Sequence, residues 1–259
     1  RLIKAFMQSL KIILRIKPNV VLGMGGYPAF PGGMMASLLN KPLVIHEQNS
    51  LPGLTNKILA KLADKVVLGF PNAINGDKDK IVYSGNPVRP EITQLAQPQD
   101  RFSSRQGNLK LLVVGGSLGA QILNTVVPQA LKKMPAESCP IVIHQTGTSH
   151  CETVQKSYTD LQLIGEVIPF IDDMAKQYAQ CDVIICRAGA LTVAELCAAG
   201  VASILVPYPH AVDDHQTSNA KFLSDQGAAI LLPQSELTAD TLAQLLTNLT
   251  RKQLLDMSI

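Results

Sequence analysis

The sequence predicts an α/β protein of two doubly wound, Rossmann-like domains that face each other across a cleft. Short apolar runs rich in β-branched residues alternate with helical patterns along the whole chain, as in parallel sheets flanked by helices. A strand, a glycine turn and a helix open the first half, and the same succession recurs from residue 110. The length, 259 residues, favours about two domains. Residues 97–108 are polar and contain Pro98 and Gly107, which makes them the best linker. The domains are therefore expected at residues 1–97 and 98–259.

The composition, 46% hydrophobic and 17% charged, is that of a globular protein with a large core. No apolar run approaches the roughly 20 residues that span a bilayer, and no small-residue cleavage site follows the basic N-terminus. The five cysteines, Cys139, Cys151, Cys181, Cys186 and Cys197, include no C-x-x-C pair. Buried thiols in a reducing cytoplasm are expected, and a zinc site is not. The net charge of +3 hides an asymmetry: residues 1–97 carry 12 Lys and Arg against 5 Asp and Glu, while residues 98–259 carry 11 against 15. The first half should meet something anionic: a membrane surface, a diphosphate or a nucleic acid. With no Trp and 4% aromatic residues, stacking platforms are scarce, and no nucleic-acid partner is expected.

Residues 1–17 read as a basic amphipathic helix stopped by Pro18. Lys4, Lys11 and Arg15 alternate with Ile3, Phe6, Met7, Leu10 and Leu14. Such a helix either packs on a sheet or lies on anionic lipid, with Ile3 and Phe6 dipping in. Residues 19–22 read as a buried strand, followed by a glycine turn through Gly25, Gly26 and Tyr27 and a helix over 33–39. The strand at 41–45 ends in His46, Glu47, Gln48 and Asn49. Polar residues crowded there either cap a loop or line a ligand site, which forms at the C-terminal ends of parallel strands. A helix over 55–63 and strands at 65–68 and 81–83 complete the half. Asp77-Lys78-Asp79 has the D-x-D spacing of a metal-dependent nucleotide-sugar site, but Asn75-Gly76 marks it as a solvated turn.

The second half opens with a strand at 110–114 and a glycine turn through Ser117 to Gln121. The spacing is not G-x-G-x-x-G, so NAD is not supported. A strand at 141–143 leads to His144-Gln145-Thr146-Gly147; a strand at 161–167 and a helix at 172–179 follow. Residues 181–200 organise the rest: an apolar strand at 182–186, a small-residue turn, a helix over 191–199 and Gly200 to end it. The free amides and positive dipole end at that helix start suit a phosphate. Glu195, about one turn in, can accept hydrogen bonds from a sugar diol beside it. The plainer alternative is that Thr192 caps the helix and Glu195 is a solvated acid favoured by the dipole. Strands at 201–208 and 227–232 close the pattern. They alternate with a helix from residues 213–216 to 223 and a last helix over 238–255.

Several segments, in order over nearly the whole chain, resemble the MurG family of peptidoglycan glycosyltransferases. They are VLGMGGY at 21–27, HEQN at 46–49, GLTN at 53–56, GNPVR at 85–89, GGSLGA at 115–120, IDDM at 171–174 and RAGALTVAE at 187–195. The resemblance implies a GT-B architecture with the acceptor in the first half and the donor in the second. It implies inverting transfer of N-acetylglucosamine from UDP-GlcNAc to the 4-hydroxyl of MurNAc in undecaprenyl-diphosphate-MurNAc-pentapeptide, lipid I to lipid II. Carried over, Ala190, Leu191, Thr192, Val193, Ala194 and Glu195 hold the ribose and phosphates, Ile171 the uracil and Gln216 the donor sugar. Ser117, Gln121, Thr146 and Asn86 are further donor-side positions, and Gly25, Gly26, Tyr27 and His46 to Asn49 the acceptor side. The implied place is the cytoplasmic face of the bacterial inner membrane, held peripherally through Ile3, Lys4, Phe6, Lys11 and Arg15, with no metal or cofactor. The family's first glycine-rich loop carries a candidate base, a His, which the resemblance sets upstream of Arg1. The alternatives are another GT-B transferase, a UDP-GlcNAc 2-epimerase, or a membrane-docked module that binds a nucleotide sugar without turnover.

Overall fold

In the computed structural model, which describes every residue except Ser117, the strands form two parallel sheets. Ser117, expected on the donor side, lies outside the described residues. Arg1–Pro87 and Val212–Asn219 group into one unit, Val88–Ala211 and Ala220–Ile259 into a second.

The first unit opens with α1 (Leu2–Ile16). Its sheet follows chain order: β1 (Val21–Gly23), β2 (Leu43–Glu47), β3 (Lys65–Leu68) and β4 (Ile81–Tyr83). Val21 faces Leu43, Val44 faces Lys65 and Val66 faces Ile81. Crossovers α2 (Ala29–Leu38) and α3 (Leu54–Leu59) pack with α1 over a core of Ile13, Leu43, Ile45, Leu59, Val66 and Leu68. Helix α2 starts four residues before the expected position, because Pro31 sits in its first turn, where a missing N–H costs nothing. Gly33 lets α2 close on α3, since a Cβ there would lie 2.7 Å from Leu59 Cδ1.

The second sheet contains β5 (Lys110–Val114), β6 (Ile141–Gln145), β7 (Gly165–Ile168), β8 (Val183–Cys186), β9 (Ser203–Leu205) and β10 (Ala229–Leu231). Their order is β10-β9-β8-β5-β6-β7, all parallel. This is the doubly wound order, with its switch point between β5 and β8, where α/β sheets bind ligands at the strands' C-terminal ends. The helices are α4 (Pro90–Thr93), α5 (Pro98–Ser103), α6 (Gln121–Lys133), α7 (Cys151–Asp160), α8 (Met174–Gln180), α9 (Ala190–Ala199), α10 (His215–Ser224), α11 (Ala239–Asn248) and α12 (Arg251–Ser258).

Two expectations are corrected here. The stretch 97–108 is not a free linker: it holds α5, with Pro98 buried. Arg101 donates to the carbonyls of Tyr178 (2.9 Å), Ala199 (2.5 Å) and Gly200 (2.6 Å). Arg105 pairs with Asp182 at 2.8 Å. These bonds tie the segment into the second unit, and the division of the chain falls at Pro87 and Val88 instead of 97/98. The single helix expected over 238–255 is two helices, because Thr250 and Gln253 form a capping box that starts α12 afresh.

Candidate functional site

At the switch-point end of β8 the chain turns into an open helix N-terminus. β8 is buried throughout, and α9 follows after Arg187-Ala188-Gly189. Gly189 caps α9 in extended backbone (φ −65°, ψ 147°) and no side chain caps it, so Thr192 is a residue of the first turn and not the cap. Val193 N–H reaches the Gly189 carbonyl at 2.9 Å. The amides of Ala190, Leu191 and Thr192 bond to no described residue, which leaves the positive end of the dipole open. Buried Val193 and Leu196 fasten the helix, and Gly200, at φ 55°, ends it. Arg187 donates to the carbonyls of Val206 (3.1 Å) and Pro207 (3.0 Å) and to Gln234 Oε1 (2.8 Å).

On the other side of the switch point, Gly119 has φ 78°, and a Cβ on it would overlap the Thr146 carbonyl oxygen. Only glycine lets the turns after β5 and β6 touch backbone to backbone. A buried chain supports that contact. Asn124 Nδ2 donates to the Thr146 carbonyl (3.0 Å), His144 Nε2 bonds to Asn124 Oδ1 (3.2 Å), and the Tyr158 hydroxyl meets His144 Nδ1 (3.1 Å). Since Asn124 Oδ1 can only accept, Nε2 carries the proton and Nδ1 accepts from Tyr158. Burial lowers the His144 pKa to about 4, so the ring is neutral near pH 7. The Thr146 hydroxyl donates inward to Gly147 O (3.1 Å) and Ile168 O (3.3 Å), so this side chain belongs to the frame.

Glu195 lies on α9 with its side chain 17% exposed. Its Oε1 accepts from Arg89 Nε (3.1 Å) and pairs with the Arg89 Nη2 as an ion pair (3.0 Å), and its Oε2 accepts from the Tyr178 hydroxyl (3.1 Å). Burial, with lesser contributions from the Cys186 thiol and Glu195, raises the Tyr178 pKa far above that of an ordinary phenol. Ile171, between β7 and α8, buries its side chain, while its backbone N–H and C=O bond to no described residue.

In the first unit, the ends of β1 and β2 make a second polar centre. Gly25 and Gly26 turn the chain at φ 79° and 72°, which other residues rarely adopt. Buried Glu47 accepts from Asn49 N (2.9 Å), Asn49 Nδ2 (3.4 Å), Gly53 N (3.3 Å) and Asn56 Nδ2 (2.9 Å). With both oxygens engaged, it orders the loop. Gln48 donates to the Met24 carbonyl (2.8 Å) and accepts at its own carbonyl from Asn86 Nδ2 (2.9 Å). Asn219 Oδ1 accepts from Ser50 N (2.9 Å), and Asn219 Nδ2 donates to Asn49 Oδ1 (3.1 Å). A cleft of about 430 Å³ opens between Gly25, Gly26, Tyr27, Gln48, Asn49, Thr55 and His215. His46 and Asn86 line a neighbouring cavity of about 370 Å³. His46 Nε2 donates to the Gly85 carbonyl (3.3 Å). Among the described residues, His46 Nδ1, Asn56 Oδ1 and Asn86 Oδ1 are buried without a partner. Unpaired buried polar atoms in a native protein call for an explanation, and a ligand is one.

Residues 110–258 match the C-terminal domain of glycosyltransferase family 28, and residues 1–68 its N-terminal domain. The chain belongs to glycosyltransferase family 28. It is similar to a Nitrosospira multiformis relative, UDP-N-acetylglucosamine--N-acetylmuramyl-(pentapeptide) pyrophosphoryl-undecaprenol N-acetylglucosamine transferase. The two are 62% identical over 258 residues, 100% of this chain and 72% of the relative. The crystal structure of Acinetobacter baumannii MurG is 43% identical with a TM-score of 0.87, covering 99% of this chain and 72% of that one. The Methanocaldococcus jannaschii UDP-GlcNAc 2-epimerase is 16% identical with a TM-score of 0.57, over 96% of this chain and 75% of that one, and shares the fold alone.

The family-28 frame sorts the expected residues. In the second unit Ala190 to Glu195 lie at the switch-point end of β8, Ile171 follows β7 at the edge of the sheet, and Gln121 is exposed at the start of α6. The first unit gathers Gly25, Gly26, Tyr27, His46 to Asn49 and Asn86. Gln216 falls within Val212–Asn219, which groups with the first unit and not with α9. Asp77 Oδ1 accepts from Asp79 N (3.0 Å), an exposed turn closed on itself. On α1, Ile3 is 80% exposed, whereas Phe6 packs edge-on against Phe30 with ring centroids 6.0 Å apart. Arg89, Tyr178 and Asn219 carry no local signal that marks them in the sequence. Arg89 stood only as the end of GNPVR, and the other two sit in unremarkable helices whose partners are distant in the chain.

Proposed function

We propose that the chain transfers N-acetylglucosamine from UDP-GlcNAc to the 4-hydroxyl of MurNAc in undecaprenyl-diphosphate-MurNAc-pentapeptide, with inversion at the anomeric carbon. The observation that carries this reading is the uncapped start of α9 at the switch point, with Glu195 fixed about one turn in, in a chain 62% identical to the Nitrosospira transferase. UDP departs as an anion. The amides of Ala190, Leu191 and Thr192 meet that charge with dipoles already in place, so nothing reorganises as it develops. Glu195 accepts from the ribose, and the free backbone groups of Ile171 complement uracil. The acceptor's sugar and diphosphate occupy the cleft of Gly25, Gly26, Tyr27, Gln48 and Asn49, with the unpaired atoms of His46 and Asn86 beside it. Attack by the acceptor hydroxyl from the face opposite UDP inverts the configuration.

The protein acts as a peripheral enzyme at the cytoplasmic face of the membrane, docked through α1. Ile3, Met7 and Leu14 recur at i, i+4 and i+11 as an exposed apolar ridge beside Lys4, Lys11 and Arg15, and no acid interrupts residues 1–17. Phe6 holds the helix down on the unit. Among the described residues no helix is long and apolar enough to cross a membrane. Turnover of UDP-GlcNAc with a short-chain lipid I analogue tests the proposal, with the product's anomeric configuration read by NMR. A β-linked disaccharide is expected; epimerisation of UDP-GlcNAc without acceptor, or binding without turnover, would sink the reading.

A further inference from the structure

Glu195 is not free to swing. Arg89 donates to its Oε1 through Nε and pairs with it through Nη2, and the Tyr178 hydroxyl donates to its Oε2. Arg89 caps α4, Tyr178 belongs to α8 and Glu195 to α9, and α4 packs against both other helices. Three elements therefore meet at one carboxylate. A carboxylate offers about four acceptor sites: Arg89 covers the Oε1 side, and Tyr178 takes one site on Oε2 and leaves the other. The Arg89 side chain is 48% exposed, so the ion pair by itself adds little stability. Tyr178 is buried and stays protonated, hence a constant donor. What the pair supplies is orientation, and a group already immobilised loses less freedom when it binds.

We propose that Arg89 and Tyr178 are positioning residues of the donor site, holding the Glu195 carboxylate in one orientation with a lone pair of Oε2 reserved for a ribose hydroxyl. Together they set the preference for ribonucleoside over deoxyribonucleoside diphosphates. This rests on Glu195 being the ribose acceptor.

The test is calorimetric binding of UDP, 2′-deoxy-UDP and 3′-deoxy-UDP to the wild type, Glu195→Ala, Tyr178→Phe, Arg89→Gln and Arg89→Lys. The wild type should prefer UDP over one of the deoxynucleotides by about tenfold or more. Glu195→Ala should bind all three alike. Tyr178→Phe and Arg89→Gln should cut the preference about fivefold while affinity for that deoxynucleotide stays put, and Arg89→Lys, a donor without the fork, should not restore it. A preference that survives Glu195→Ala overturns the ribose assignment itself. If Glu195→Ala erases the preference and the other variants keep it, the positioning role alone is overturned. Equal weakening of all three nucleotides would reduce Arg89 and Tyr178 to structural support, and tighter UDP binding by Arg89→Gln would make Arg89 a competitor of the ribose. Either result rejects the proposal.

Discussion

Removing the Glu195 carboxylate has two effects. On the proposed function it takes away a charged acceptor for the ribose, about 1.5–3 kcal/mol or roughly 10- to 150-fold in UDP affinity. It also strands the buried Tyr178 hydroxyl, which costs about 1–3 kcal/mol of stability. Glu195→Ala should therefore weaken UDP in calorimetry and lower the melting temperature together. Glu195→Gln should weaken UDP while keeping more of the melting temperature, because its amide oxygen still accepts from Tyr178. His144 makes a prediction in pH. Its pKa falls from an ordinary 6.5 to about 4 in the fold. The folded state disfavours the charged ring, so this stability is fully present above about 6.5 and is lost as pH falls through about 4. The span corresponds to about 3 kcal/mol. Urea midpoints should drop between pH 7 and pH 4, and His144→Gln should flatten the drop; an unchanged slope would move the titration to another group.

At the scale of elements, the proposed function gives the start of α9 the part that a divalent cation plays for the leaving diphosphate in D-x-D enzymes. Activity should survive excess EDTA, and Asp77→Asn with Asp79→Asn should be nearly silent. Rescue of an EDTA-killed enzyme by Mg²⁺ would refute this. Asp182, buried at the start of β8, receives Arg105 (2.8 Å), the Lys110 amide (2.7 Å) and Arg251 (3.4 Å). Asp182→Ala should cost about 3–5 kcal/mol in urea unfolding, since two arginines lose their partner. The strand, turn and helix around α9 were legible because their signals are local: an apolar run, small residues and Gly200. Helix α5 was not, because it is held by Arg101 and Arg105 bonding carbonyls 74 to 99 positions away, which no sequence window contains. Tyr178 and Arg89 stayed hidden for the same reason. Glu195 converges with them only through packing, although its own place on α9 could be read from spacing. The break at Thr250 was readable, since T-x-x-Q is a helix-start signature, and the apolar periodicity on both sides masked it.

For the whole molecule, the proposed docking through α1 would draw on the basic excess of residues 1–97, since each Lys or Arg near an anionic leaflet contributes about 1 kcal/mol. Reversing Lys4, Lys11 and Arg15 to Glu should sharply reduce sedimentation with anionic liposomes and leave UDP binding intact. Raised salt should mimic the triple variant by screening, and equal binding to neutral vesicles would remove α1 from the membrane. The bonds from Asn219 to Asn49 and Ser50 also carry a timetable. Ser50 and Asn219 are 169 positions apart. At about 5–20 residues per second, a ribosome leaves the loop after β2 without that partner for roughly 10–30 s, long after its own strands can pair. During synthesis the Glu47 loop must hold its shape on its own hydrogen bonds. A nascent chain arrested before residue 219 should be cut by protease at residues 48–53 while its sheet resists. Slow translation of the later stretch would lengthen the exposure of the Glu47 loop to proteases.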